Sequence, residues 1–84
     1  MKSKKLLKRL ADYLSADERT QKKETKAIKK VLKALKEREK TLKLKLAAAE
    51  DEERAAAIQS KLDVIYAQRS KGIERVRKQR ESGK

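Results

Sequence analysis

The fold of this chain is decided by residues 22–46, which read KKETKAIKKVLKALKEREKTLKLKL. Apolar residues recur in this stretch at spacings of four, three, seven and four. On a helix of about 3.6 residues per turn, such residues form one continuous seam. The seam consists of Ile28, Leu32, Leu35, Leu42 and Leu46. The pattern predicts a long amphipathic helix that packs through this seam against another part of the protein.

A second heptad pattern follows the same helix, about 100° around from the seam. It consists of seven lysines spaced alternately four and three residues apart: Lys22, Lys26, Lys29, Lys33, Lys36, Lys40 and Lys43. We call these residues the lysine stripe, and at helical rise they extend over roughly 30 Å. A face that serves only solubility usually mixes both signs of charge. Because the stripe contains no acid, its pattern favours a binding function.

The composition restricts the fold class. The chain has 84 residues, no Pro, two Gly, 46% charged and 37% hydrophobic residues, which suits packed helices better than a broad globular core. Low hydrophobicity and a net charge of +13 also fit a disordered chain, but the regular heptad spacing favours a folded one. We predict a single all-α domain over residues 1–84, built as an antiparallel, coiled-coil-like helical hairpin with a short N-terminal amphipathic helix.

Local signals predict where the helices begin and end. Ser15 and Glu18 have the spacing of a capping box, which indicates a new helix, although the heptad register continues across them and leaves one unbroken helix as the alternative. Three alanines followed by four acids, at residues 47–53, indicate a turn and a helix start. The predicted segments are a short helix at 1–14, a central helix at 16–48, a turn at 49–51, a last helix at 52–79 and a frayed basic tail at 80–84.

Folding the chain back near residue 50 brings the apolar seams of the two long helices together along their length. This predicts the pairs Leu42 with Ile58, Leu35 with Ile65, and Ile28 with Ile73. Tyr66 and Ile73 are expected to broaden the apolar face of the last helix. Gly72 is predicted to allow close approach to Ile28 or the first helix, or else to cap the helix. Glu39 interrupts the seam and is expected to set the register or to contact a neighbouring lysine.

An apolar flank beside the seam predicts an interaction face. It comprises Leu7, Leu10 and Leu14 of the first helix with Ala27, Val31 and Ala34 of the central helix. Together with the seam the flank covers an arc of about 160°, more than one partner helix can bury. Either the first helix packs on this flank, or two hairpins associate as a homodimeric bundle. Membrane-surface binding by the first helix is less favoured, because Asp12 weakens its attraction to anionic lipid.

Several function classes are disfavoured by missing residue types. The chain has no Cys and no His, which removes thiolate and imidazole chemistry and most zinc sites. The acids at residues 50–53 lack the spacing and glycine of a calcium loop. We expect no enzymatic activity, no cofactor and no metal. Since no apolar run exceeds four residues, no membrane span is expected, and a cytoplasmic protein is the default.

The distribution of charge indicates the kind of partner. Residues 1–49 carry 17 basic and 6 acidic groups, whereas residues 50–84 carry 9 and 7. We therefore expect non-specific electrostatic binding of nucleic acid, such as RNA or a ribosome-associated site, because base-stacking aromatics are missing. The predicted contacts are the lysine stripe with Arg75, Arg77, Lys78 and Arg80. The alternative is a structural or adaptor coiled coil that binds an acidic protein surface or a second copy.

Overall fold

The protein is all-α, as predicted. The computed structural model describes the backbone of residues 2–82 and the side chains of residues 4–80. This part of the chain contains three helices and no strand: α1 (Lys2–Ser15), α2 (Glu18–Ala48) and α3 (Glu52–Ser82). The molecule is elongated, with principal extents of 50 × 18 × 15 Å.

Ala16 and Asp17 are not helical and separate α1 from α2. The alternative of one unbroken helix is therefore wrong. Asp17 caps α2 by accepting a hydrogen bond from the backbone N–H of Thr20 at 2.8 Å. The predicted capping box at Ser15 is also wrong, because the Ser15 hydroxyl donates to the carbonyl of Ala11 at 3.0 Å. Aspartate is as good an N-cap as serine, and a serine can instead hydrogen-bond back to its own helix.

Residues 49–51 connect α2 to α3. Asp51 caps α3 by accepting from the backbone N–H of Arg54 at 2.6 Å. Glu52 and Glu53 follow in the first turn, where the helix dipole favours negative charge. The acidic run is therefore used as a helix start, which is the role that its composition indicates.

The C-terminal end of α3 differs from the prediction. The helix continues to Ser82, whereas the sequence predicts a frayed tail from residue 80. No Gly or Pro interrupts the chain between Ile73 and Ser82, and Arg80 places positive charge in the last turn, where the dipole favours it. Residues 83 and 84 of the predicted tail lie outside the described residues.

The three helices pack against one another, and α1 contacts both α2 and α3. Near the start of α2, Gln21 contacts Gln79 close to the end of α3. Further along α2, Glu39 contacts Arg69. As residue numbers rise along α2 those of the contacting α3 residues fall, so the two helices pack with opposite chain directions.

The core uses all three helices. Its buried apolar side chains are Leu10, Tyr13, Ile28, Val31, Leu32, Leu35, Leu42, Leu62, Ile65 and Val76. In the predicted interaction face, Leu10 and Val31 are buried, Leu7, Leu14 and Ala27 are half-buried, and Ala34 is exposed. Ala34 is exposed because it lies about 60° further around α2 from the seam than Val31 does, and its place in the interaction face stays a prediction. α1 thus packs within its own chain, and homodimerisation stays a prediction.

Gly72 lies where the three helices meet. A Cβ atom added there would be 2.7 Å from Cδ2 of Leu32 and 2.8 Å from Cδ1 of Leu10. The predicted close approach to the first helix is present through Leu10 of α1, and Leu32 of α2 is the other near neighbour. Ile73 is 37% exposed and Tyr66 is 61% exposed. The expectation that these two side chains broaden the apolar face was wrong.

Buried polar groups cross-link the helices. Gln79 Nε2 donates to Gln21 Oε1 at 2.9 Å, and Gln21 Nε2 donates to the carbonyl of Tyr13 at 2.9 Å. One chain of hydrogen bonds therefore joins α3, α2 and α1. Glu39, buried in the seam, accepts from Arg69 Nε at 2.5 Å. Its partner is an arginine of α3 and not a neighbouring lysine, the contact that the sequence predicts as the alternative to setting the register.

Candidate nucleic-acid interface

All seven residues of the lysine stripe are exposed. Their orientation follows from the packing of α2: burial of Ile28 and Leu35 against the other helices turns the stripe toward solvent. In the part of the chain that the structure describes, Lys40 is the one stripe residue in an ion pair, with Glu37 at 3.7 Å. The other six ammonium groups are not neutralised by a described carboxylate within 4.0 Å. The stripe therefore presents a row of cations that an anionic partner can reach.

On one flank of α2 the stripe joins cations from α3. Lys29 lines a groove of about 300 Å³ together with Arg77 and Arg80, over a floor that includes Leu32 and Ile73. Both arginines belong to the predicted set of binding residues. The structure brings them beside the stripe because α3 packs back along α2.

On the other flank the stripe joins a cation from α1. Lys26 and Lys30 line a groove with Arg9, over Ala27 and Val31, with a volume of about 540 Å³. Sequence reasoning missed Arg9 and Lys30, since neither belongs to the heptad line. The sequence feature that could have identified them is their position next to the apolar flank on which α1 packs.

These two grooves lie on either side of α2 and together form what we call the cationic surface. It consists of Arg9, Lys26, Lys29, Lys30, Arg77 and Arg80. No described carboxylate lines either groove. Each helix contributes at least one cation, so the surface exists only when the three helices are packed together.

The far end of the stripe has a different electrostatic setting. Lys43 shares a groove with Glu39, Asp63 and Tyr66. Asp63 Oδ1 accepts a hydrogen bond from Gln59 Nε2 at 2.9 Å, while Glu39 pairs with Arg69. The carboxylates make this part of the stripe a poorer site for phosphate than the part near Lys26 and Lys29.

The predicted set of binding residues is split between two sides of the molecule. Arg75 and Lys78 line a groove between α1 and α3, to which α2 contributes no residue. They are therefore separated from Arg77 and Arg80, which lie beside α2. Their positions differ because neighbouring residues of a helix point about 100° apart.

The described residues contain no cluster of three or more Asp, Glu, His or Cys side chains suited to a metal ion. Within the same residues, no helix combines the length and apolar character that crossing a membrane requires. Comparison of the chain with models of protein families, with curated proteins and with solved structures gives no match. The function is therefore argued from the geometry and charge of the surface alone.

Proposed function

We propose that this protein is a cytoplasmic nucleic-acid binder that holds RNA, free or in a ribosome-associated setting, through the lysine stripe and the cationic surface. Its scaffold is the antiparallel hairpin of α2 and α3, braced by α1. One observation carries the proposal: the stripe lysines are exposed and, apart from Lys40, lack a described carboxylate partner. Binding is electrostatic, without sequence preference.

The chemistry of the side chains suits a phosphate backbone. Cations that neutralise phosphates release condensed counterions, and this release drives binding at moderate salt. Lysine ammonium groups act as point charges along the strand, while Arg77 and Arg80 can each hold a phosphate through two parallel N–H donors. Tyr66 is an exposed aromatic, but it shares its groove with the carboxylates of Glu39 and Asp63. Base stacking there is disfavoured, which supports non-specific binding.

The second candidate function is a structural or adaptor coiled coil that binds an acidic protein or a second copy of this chain. Its support is the exposure of Leu44 at 74% and of Val64 at 51%. These two side chains lie on different helices, and single exposed apolar residues are common on monomeric proteins. A pull-down from native lysate separates the two functions, because nuclease removes partners held through nucleic acid and leaves protein partners bound.

The direct test is a salt titration of duplex RNA binding by fluorescence anisotropy. If six or more phosphates are engaged, the affinity of the parent protein falls by about 10³ or more between 50 and 200 mM salt. Replacing Lys29, Lys33, Lys36 and Lys40 by Gln should preserve helicity, since Gln is nearly as good a helix former. The slope of log affinity against log salt should become shallower by about one unit for each phosphate that the variant no longer neutralises.

A charge-matched control replaces Lys4, Lys5, Lys45 and Lys61 by Gln. These lysines are exposed and lie outside the stripe and the cationic surface, so this variant should keep most of the affinity and the slope. Equal losses of affinity in both variants would show that net charge alone governs binding. A stripe variant with the affinity and slope of the parent would instead favour the adaptor function.

A further inference from the structure

The groove between α1 and α3 is a second concentration of positive charge. It has a volume of about 400 Å³, and its polar lining is Ser15 on α1 with Gln68, Lys71, Glu74, Arg75 and Lys78 on α3. Among the described residues that line the groove, three are cations and one is a carboxylate. Lys71, Arg75 and Lys78 are spaced four and three residues apart, which is the alternation of the lysine stripe and places them in one line along α3.

This groove faces away from the stripe. α2, which carries the whole stripe, contributes nothing to its lining. The bundle between the two sides is 15 to 18 Å thick, whereas charges in solution are screened over about 8 Å at physiological ionic strength. Phosphates bound along the stripe are therefore too distant to neutralise the cations of this groove.

The lining indicates the class of partner. Arginine, lysine, serine and glutamine are donors that proteins use toward phosphate oxygens. A partner helix would instead need a row of apolar pockets, and the described residues that line this groove include two apolar ones, Ala11 and Leu14. The chemistry of the groove thus favours a nucleic-acid backbone over an acidic peptide.

We propose that the groove between α1 and α3 binds a second segment of nucleic acid, so that one molecule bridges two segments held on opposite sides of the bundle. This inference rests on the proposed function, in which the stripe side holds the first segment. It adds a second binding site, formed by Lys71, Arg75 and Lys78.

Bridging is measured by energy transfer between two populations of duplex RNA, one carrying a donor dye and the other an acceptor. The full-length parent protein should raise the transfer. The variant with Lys71, Arg75 and Lys78 replaced by Gln should bind a single duplex nearly as tightly as the parent. The protein concentration that it needs for half-maximal transfer should rise about tenfold or more, because two or three phosphates of the second duplex are no longer neutralised.

A second variant keeps the proposal testable if the triple variant folds poorly by circular dichroism. Glu74→Gln removes the one carboxylate among the described lining residues and leaves the three cations. This exposed position tolerates Gln in a helix. The variant should need about two- to threefold less protein for half-maximal transfer, since one repulsive charge near phosphate is gone.

The outcomes separate this inference from the proposed function. A parent protein that binds one duplex without bridging overturns the second site alone, and so does a folded triple variant that bridges like the parent. A labelled polyglutamate peptide that binds the parent tightly and the triple variant weakly, without bridging by the parent, assigns the groove to a protein partner. A parent protein that binds no duplex overturns both proposals.

Discussion

The molecule has two regions that differ in how completely their apolar side chains are buried. In one, the three-helix end, α1 packs on α2 and α3. In the other, which we call the arm, α2 and α3 pack only against each other. At the three-helix end, Leu10, Tyr13 and Ile28 are at most 1% exposed. In the arm, Leu42 and Leu62 are buried, but Leu44 and Val64 on the same helices are exposed. Two helices can bury only the seam between them, whereas a third covers the flank as well. The arm should therefore open at a lower free energy than the three-helix end.

The two regions also differ in charge. The grooves of the three-helix end carry three basic side chains each, while the arm groove beside Lys43 contains Glu39 and Asp63. The acidic residues 50–53 lie at the tip of the arm. Because α1 both completes the core and supplies Arg9 to the cationic surface, stability and binding depend on the same packing. Loosening α1 should therefore remove the difference between the two regions.

The largest expected effect comes from Leu10→Ala. Leu10 is fully buried and its side chain reaches the backbone of Gly72, so its truncation leaves a cavity at the meeting point of the helices. We expect a loss of about 2–5 kcal/mol in the free energy of unfolding, which is a large part of the stability of a domain this small. Urea unfolding followed by circular dichroism measures it.

Leu44→Ala is the matched control, because it removes the same atoms from a leucine that is 74% exposed. Its effect should stay within about 0.5 kcal/mol. If the two variants were equally stable, α1 would not belong to the core and the contrast between the two regions would disappear.

The sequence was sufficient for those parts of the fold that depend on local periodicity. The heptad spacing of Ile28 and Leu35 predicted the buried seam of α2, and the acidic run predicted the start of α3. The choice between Ser15 and Asp17 as the cap could not be predicted, since both are good caps two residues apart. The close approach at Gly72 was one of two predicted roles, but its contact with Leu32 could not be predicted, because it depends on where α1 docks.

The residues of the candidate site also fall into those that the sequence could predict and those that it could not. Regular spacing along one helix was enough to find the stripe residues, such as Lys29 and Lys33. The addition of Arg9 and the separation of Arg75 from Arg77 depend on how α1 and α3 lie around α2. Periodicity predicts on which face of its own helix a residue lies. It does not predict which other helix packs beside that face.

An intermediate effect is expected in the arm, from the pair formed by Glu39 and Arg69. Their side chains are 6% and 19% exposed, so Arg69→Leu leaves a buried carboxylate without its partner. We expect a loss of about 2 kcal/mol in the free energy of unfolding, less than for a fully enclosed pair, because Arg69 keeps some contact with solvent. The double variant Glu39→Leu with Arg69→Leu should recover most of it, since an apolar pair fits a seam.

A double-mutant cycle in urea tests this explanation. If the double variant is as unstable as Arg69→Leu, the arginine contributes through packing of its stem and not through its charge. Recovery accompanied by a change of oligomeric state in light scattering would show in addition that the pair specifies the register of the two-helix arm, as buried polar groups do in some coiled coils.

The smallest effect is expected at Asp17, the exposed cap at the junction of α1 and α2. The backbone N–H of Thr20 donates to its carboxylate, and this hydrogen bond, assisted by the Thr20 side chain and the charge of Lys23, lowers the pKa of Asp17 below its ordinary 3.8. A group whose pKa is lower in the folded state stabilises that state above its unfolded pKa. This contribution is lost as the pH falls through the folded value.

Asp17→Asn keeps a capping oxygen but does not titrate. The parent protein should therefore have the higher Tm near neutral pH, and the difference between the two proteins should shrink as the pH falls below about 4. Thermal unfolding followed by circular dichroism across the acid range measures this difference. A difference that is independent of pH would mean that the negative charge adds nothing to the cap. In that case the junction that starts the three-helix end would depend on the geometry of the Asp17 hydrogen bond alone.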